Sequence, residues 1–437
     1  EEKRRVTGLI EGFGERLQEL LHDLPRLRRE MQTRVREATR EAMALAAGQA
    51  VAQKAGAKVS GDTVKIGVLT DMSGVYSDLG GQGSVTAAQM AIDDFKAQAK
   101  PAWKIELVYA DHQNKADVGS NKAREWYDTQ GVDMITDALN SAVALAVSKV
   151  TLEKKRILID TGAASTRLTN EDCSPNTVHY VYDTYALANG PGKAVTKQGK
   201  DSWFFLTADY AFGHSLEKDT SDAVKASGGK VVGAVRHPLN ASDFSSFLLQ
   251  AQSSKAKVVG LANAGGDTIN SIKAANEFGL TKNQTIVGLL TTIIDIHALG
   301  LPTTQGMMFT EGFYWNLNNE TREWSRRFFG KHKKMPSMLH AGTYSAVMTY
   351  LKAVQATGTD EADAVMKQLK ATTINDMFAK GGKVRADGRM VHDMYLVEVK
   401  KPAESKEPWD YYHIKAVIPA NEAFQPMSLS RCPLVKK

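Results

Sequence analysis

From Val64 onward, short apolar β-branched runs alternate with segments of helical periodicity, and that alternation leaves few folds open. Val64–Thr70 (VKIGVLT) reads as a strand, followed by a Gly-rich turn and a helix from Val85 through Phe95. Lys104–Ala110, Val132–Thr136 and Arg156–Asp160 read as strands, with helices over Lys115–Thr129 and Val143–Leu152. The pattern then restarts. Trp203–Thr207, Lys230–Val235, Val258–Ala262 and Thr285–Leu290 read as strands, and Ser215–Ala226, Phe244–Gln252 and Thr268–Phe278 as helices. The strands are apolar throughout rather than alternating, as expected of parallel sheets covered on both faces. Asn319–Ala371 is mostly helical, and strand-like runs return at Met394–Val399 and Tyr412–Val417. These late returns suit a chain that crosses between two lobes more than once. The expected fold is therefore α/β: two doubly wound parallel-sheet lobes joined by a multi-crossover hinge, with a cleft outside the carboxyl ends of the strands.

Residues 1–58 have a different character. Val6, Ile10, Phe13, Leu17, Leu20, Leu24, Leu27 and Met31 step by four and three, the seam of an amphipathic helix. Pro25 and the glycines at 8, 12 and 14 favour a kinked helical extension over one rod. Either self-association through this extension or a passive appendage fits. Ala42–Ala47, preceded by a long charged segment, makes a poor leader core.

Composition narrows the function. The chain is 43% hydrophobic and 24% charged, with no apolar run near the ~18 residues of a spanning helix. A net charge of +6 over 437 residues is too mild to argue for nucleic acid. No HExxH, CxxC, GxSxG or EF-hand spacing occurs. Gly190-Pro191-Gly192-Lys193 lacks the first glycine of a phosphate loop, and Gly81-Gln82-Gly83 is only a fragment of a dinucleotide turn. The ten histidines show no ligand spacing. The expectation is no catalytic residue, no metal and no cofactor. Two cysteines, Cys173 and Cys432, read either as two idle thiols or as one disulfide. A bridge would stabilise by roughly 4–5 kcal/mol in the chain-entropy picture and would imply an oxidising compartment.

The informative residues follow the strands. Asp71–Tyr76, with Ser73 and Tyr76, follows the first strand; Asn140-Ser141 opens a helix; Gly162-Ala163-Ala164-Ser165 follows Arg156–Asp160. Small residues there let backbone N–H groups face a ligand, and helix N-termini favour an anion. Each Ser or Asn alone also reads as a helix cap; their recurrence at three strand ends argues for a site. The second unit offers loop aromatics instead: Tyr185, Tyr210, Phe212, Tyr314 and Trp315.

These segments resemble a known family. VKIGVLTDMSG at 64–74 with Ala87–Ile92, then Ile159–Ser165, Ala208–Gly213 and Asp243–Ser246, are similar to substrate-binding proteins of the leucine/isoleucine/valine-binding type, which serve ABC importers and have the type I periplasmic binding fold. The resemblance covers about Thr63 to Lys437. It implies lobe 1 from 60–182 and 316–388, lobe 2 from 183–315 and 389–437, closure over a small solute, a membrane permease as partner and a periplasmic location. It implies that Asn140, Ser141, Ala163 and Ser165 hold a ligand carboxylate, with Ala164 beside them. Tyr210 stacks on the ligand, Asp71–Leu79 supplies a wall, and Asn263, Ala264 and Asp267 form a further loop. It also implies that Cys432, in a Cys-Pro-Leu tail, pairs with Cys173.

One departure matters. Amino-acid binders of this type place an acid near the strand end corresponding to Leu289-Leu290-Thr291, to meet the ligand ammonium, and no acid stands there. A buried ammonium without an anion costs several kcal/mol. A carboxylate on an apolar or aromatic body fits better, and the resemblance, which extends to binders of aromatic acids, implies an aromatic acid first; a branched-chain or other amino acid would need Asp183 or Asp267 to substitute. A ligand-sensing regulator of the same fold would need a DNA-reading module, for which residues 1–58, with twelve Lys or Arg against nine Asp or Glu, offer little. An enzyme would need paired groups at catalytic spacing, which are absent.

Overall fold

The computed structural model describes residues 59–435 and Met31; the N-terminal seam otherwise lies outside the described residues. In the first lobe, β1 (Thr63–Thr70), α1 (Gly81–Ala99), β2 (Lys104–Asp111), α2 (Ala116–Thr129), β3 (Met134–Asp137), α3 (Ser141–Glu153), β4 (Ile157–Asp160) and β5 (Thr177–His179) follow one another. They form one parallel sheet in the order β2-β1-β3-β4-β5. β3 and β4 are buried at every position, which explains their uninterrupted apolar runs. The second lobe repeats the plan with α4 (Thr184–Lys197), β6 (Ser202–Ala208), α5 (Ala211–Ala226), β7 (Lys230–His237), α6 (Ser245–Ser253), β8 (Val258–Ala262), α7 (Gly266–Glu277) and β9 (Thr285–Gly288). Its parallel order is β7-β6-β8-β9.

The chain then passes through α8 (Ile293–Leu299), α9 (Leu301–Thr304) and β10 (Met308–Glu311), and returns to the first lobe as α10 (Asn319–His332), α11 (Met338–Thr357) and α12 (Ala362–Ala371). The return is fixed by specific bonds. Tyr344 Oη donates to Asp94 at 2.7 Å, and Ser60 N–H donates to Asp360 at 2.9 Å. Gly83, in the first turn of α1, is obligatory because a Cβ there would lie 2.3 Å from His340 Nε2. That packing, and no dinucleotide, accounts for the Gly81-Gln82-Gly83 fragment. After the small antiparallel strands β11 (Ile374–Asn375), β12 (Lys380–Val384) and β13 (Met390–Val391), the strands β14 (Met394–Val399) and β15 (Tyr412–Ile418) join β10 in an antiparallel sheet; the short helix α13 (Ala420–Ala423) follows.

α4 was not legible in the sequence. Gly190-Pro191-Gly192 lies inside this helix, and not in a phosphate loop. Pro191 removes one intrahelical bond, but tertiary packing outweighs that cost. Gly190 approaches Thr310 Oγ1 and Gly192 approaches Ala223 Cβ, so the glycines let α4 sit close to β10 and α5.

The crossovers run side by side. Arg389 Nη1 donates to Tyr182 O at 2.7 Å, and His392 Nε2 lies 2.6 Å from Val181 O. Cys173 and Cys432 form a disulfide, with Cα atoms 5.6 Å apart, which ties the C-terminal tail to the first lobe.

Candidate functional site

The carboxyl ends of both sheets face one cleft. Asn140 precedes α3 in extended backbone, and its Oδ1 accepts the N–H groups of Ala142 and Val143. That cap aims the first turn of α3 at the cleft. Across from it, Tyr210 precedes α5, and Gly265, at φ 56, precedes α7. Two helix N-termini, those of α3 and α5, one from each lobe, thus border one small volume, while Gly265, ahead of α7, packs against Val75 and Tyr76. Strained backbone sets the approach: Asp137 and Ala138 have φ of 77 and 48 just before Leu139-Asn140-Ser141.

The cavity is lined by Tyr76, Leu79, Leu139, Asn140, Ser141, Gly162, Ala163, Ala164, Tyr182, Tyr210, Phe212, Ala264 and Leu290. None of these side chains carries a formal charge. Tyr76 Oη and Tyr210 Oη meet across the cleft at 2.7 Å. Nearby, Gly266 N–H donates to Val75 O at 2.9 Å, and the Ser165 and Ser215 hydroxyls meet at 2.7 Å. The lobes are therefore in a closed arrangement.

Of the residues singled out in the sequence, Tyr76, Asn140, Ser141, Ala163, Ala164 and Tyr210 meet at the cavity, with Leu79, Gly162, Phe212 and Ala264 from the same segments. Six others do not line it. Ser73 donates to Asp111 at 2.7 Å on the exposed side of its loop. Ser165 is spent on Ser215 of the other lobe. Tyr185 lines a separate groove with Thr166, Lys193 and Asp219. Asn263 is buried among His237, Thr268 and Ser271. Asp267 accepts the Asn240 N–H at 3.0 Å, and burial pushes its carboxyl up to about 6. Trp315 is buried, and its Nε1 donates to Trp409 O at 2.8 Å. Tyr182 and Leu139 had no sequence signal pointing to a site; the hinge crossing and the strained turn deliver them.

The donor arrangement also departs from the expected one. Ala163 N–H is accepted by Asp160 Oδ1 at 3.0 Å, so it does not face a ligand. Ser141 Oγ accepts the N–H groups of Ala164 at 3.3 Å and Ser165 at 3.1 Å. With both lone pairs engaged, its O–H has only a donor role left, and it lies on the cavity wall. Tyr182 Oη donates to Gly162 O at 2.6 Å. Burial raises the phenol pKa values of Tyr76 and Tyr210, so both keep their protons. Their mutual bond uses one proton and leaves the other for a ligand. Behind the wall, burial pushes Asp137 up to about 6 and Asp160 well above the carboxylate range, against the Ala163 N–H that favours its anion. These acids are drawn toward their neutral forms and do not surround the cavity with fixed negative charge.

Around Leu289-Leu290-Thr291 the structure brings two acids, neither of which lines the cavity. Asp295 accepts the Thr292 N–H at 2.7 Å, and Glu311 accepts from Tyr412 Oη at 3.2 Å.

A profile of the periplasmic binding protein family matches residues 63–406. A periplasmic binding protein from Burkholderia mallei is 59% identical, with a TM-score of 0.85, covering 86% of this chain and 100% of that one. A branched-chain amino acid ABC transporter periplasmic ligand-binding protein from Burkholderia xenovorans is 40% identical, with a TM-score of 0.75, covering 85% of this chain and 99% of that one. A solute-binding protein from R. palustris, solved in complex with benzoate, shares the fold at 20% identity, with a TM-score of 0.74 and coverage of 85% and 99%. The two hinged parallel-sheet lobes and the uncharged cleft between them thus have a family: this chain belongs to the periplasmic binding proteins and is an ABC-transporter solute-binding protein of the leucine/isoleucine/valine-binding type, not an enzyme.

Proposed function

We propose that the protein binds a small carboxylate, an aromatic acid in preference to an amino acid, between its lobes and presents it in the periplasm to the membrane permease of an ABC importer. The observation that carries this reading is the absence of any Asp, Glu, Lys or Arg from the cavity wall. An α-amino acid brings an ammonium that such a wall leaves without an anion, a cost of several kcal/mol. A carboxylate finds the N-terminal ends of α3 and α5, the Ser141 hydroxyl and one tyrosine hydroxyl. The remaining wall, Leu79, Leu139, Phe212, Ala264 and Leu290 with the tyrosine rings, suits an apolar or aromatic body. The lobe division proposed is 60–182 with 316–388 against 183–315 with 389–437. The tail end of the latter span is bonded back to the first lobe by the Cys173–Cys432 disulfide.

The second reading, a branched-chain amino acid ligand, is favoured by the name of the 40% identical relative. Isothermal titration against benzoate, 4-hydroxybenzoate, a short aliphatic acid and leucine separates the two. The expected result is tight binding of a benzoate, with leucine at least about a hundredfold weaker, the equivalent of about 2.7 kcal/mol. Leucine binding more tightly than every aromatic acid would establish the second reading, and no heat with any of the four would sink both.

A further inference from the structure

We infer that Asn114, which lies outside the cavity, is a positioning residue that holds two loops of the cavity wall in register. The inference rests on the reading of that cavity as the ligand site. It begins at Asp71, which follows β1 and is fully buried. Its Oδ1 accepts the N–H groups of Ser73 at 3.3 Å and Gly74 at 2.7 Å. Its Oδ2 accepts the Tyr76 N–H at 2.9 Å and the Asn114 side-chain amide at 2.7 Å. The loop that carries Tyr76 to the cavity is thus wrapped around one carboxylate. It can wrap so tightly only because residue 74 is glycine: a Cβ there would lie 2.7 Å from Asp71 Oδ2 and 2.8 Å from Asn114 Nδ2.

Asn114 comes from elsewhere, the turn between β2 and α2, where Gln113 and Asn114 hold φ of 53 and 55. Its N–H donates to His112 Nδ1 at 3.0 Å. His112 is buried, its pKa lowered by burial to about 4, so the ring is neutral and its proton sits on Nε2. The turn is therefore fixed from behind. The other end of the Asn114 amide completes the link: Oδ1 accepts from Asn140 Nδ2 at 3.4 Å. Asn140 lines the cavity, and its own Oδ1 caps α3 through Ala142 at 2.9 Å and Val143 at 3.2 Å. One amide thus donates to the organiser of the Tyr76 loop and accepts from the cap of α3. A carboxylate cannot donate to Asp71, and an aliphatic side chain offers neither half.

Two variants test this. Asn114→Gly tolerates the left-handed turn and deletes only the amide. Hydrogen exchange is expected to rise, relative to the unaltered protein, in peptides covering 72–78 and 139–145. The Kd for benzoate is expected to rise about tenfold, the size of one lost charge-assisted hydrogen bond. Asn114→Asp places an acid against Asp71. At pH 8, where it offers Asp71 no donor, it should show the same rise in exchange at 72–78 and the same loss of affinity as the glycine variant. Exchange that rises only within the 111–116 turn, or an aspartate variant that matches the unaltered protein at pH 8 in exchange and affinity, would overturn the inference. Should the unaltered protein take up no benzoate, the ligand reading falls, while the exchange patterns still decide the role of Asn114.

Discussion

The two lobes use the same α/β plan, but their strands end differently. In the first lobe β3 and β4 end in Asp137 and Asp160, and β1 is followed directly by Asp71, all fully buried. In the second lobe β6, β8 and β9 end in Ala208, Ala262 and Gly288. The first set turns inward and organises the loops that follow: Asp71 holds Gly74 and Tyr76, and Asp160 holds Ala163. The second set is small and leaves the space to what comes next, Tyr210, Phe212, Ala264 and Leu290. The first lobe thus brings Asn140 and Ser141 to the cavity together with tyrosines and leucines, whereas the second brings only Tyr210 and apolar residues. On the proposed reading, the Asn140-Ser141 turn of the first lobe would contribute most to holding the anion, and Tyr210 with its apolar neighbours in the second lobe most to fitting the body.

If that division holds, the largest effect belongs to the second lobe. Tyr210→Ala should weaken benzoate binding by about a hundredfold, about 3 kcal/mol, because it removes a buried ring and the bond to Tyr76 together. Calorimetry checks this, and a loss below tenfold would mean that the second lobe contributes little.

The next effect sharpens the role of the strand-end acids and is read in stability. Asp137 stands at about 6 in the folded protein, above its unfolded value of about 3.9. Its charged form is thus penalised in the folded state above pH 6, and stability is regained as pH falls from about 6 to about 4. Asp137→Asn should accordingly be more stable than the unaltered protein at pH 8, by about 3 kcal/mol, with the gap closing near pH 4. Asp267 and Asp295 of the second lobe also stand at about 6, so only the difference between the two proteins isolates Asp137. Denaturant unfolding at both pH values reads it; a gap independent of pH would show that Asp137 does not titrate in this way.

On the polar wall itself, Ser141→Ala should cost about tenfold in affinity, about 1.4 kcal/mol, since it deletes the one hydroxyl whose remaining role is to donate. Were this loss greater than that of Tyr210→Ala, the assignment of work to the lobes would be reversed. The smallest effect is expected at Ser165→Ala, about threefold or less, because that hydroxyl bonds Ser215 across the cleft and does not line the cavity. A loss as large as that of Ser141→Ala would return Ser165 to the ligand.

Part of the site was legible in the residues. Asn140-Ser141 after an apolar run announces a helix N-terminus, because a cap is a local interaction between neighbours in sequence. The aromatic at Tyr210 stood out because a loop aromatic has no helix seam to explain it. Neither argument could separate Ser165 from Ser141, or Trp315 from Tyr210. Each pair reads alike along the chain, and only tertiary contacts tell which member touches a neighbour instead of the cavity: Ser215 of the other lobe for Ser165, and Trp409 of the returning strand region for Trp315. α4 escaped for the opposite reason: Gly190-Pro191-Gly192 breaks an isolated helix, and only close approach to β10 and α5 makes those residues favourable.

By itself, the sequence determined the layered α/β plan, its repetition and the family, because periodicity and strand-end motifs are local signals that survive without coordinates. The tertiary structure decided which hydroxyls are free to donate, which acids become neutral and which rings share one small cavity. Those properties depend on burial and on partners hundreds of residues apart, and no spacing along the chain encodes them.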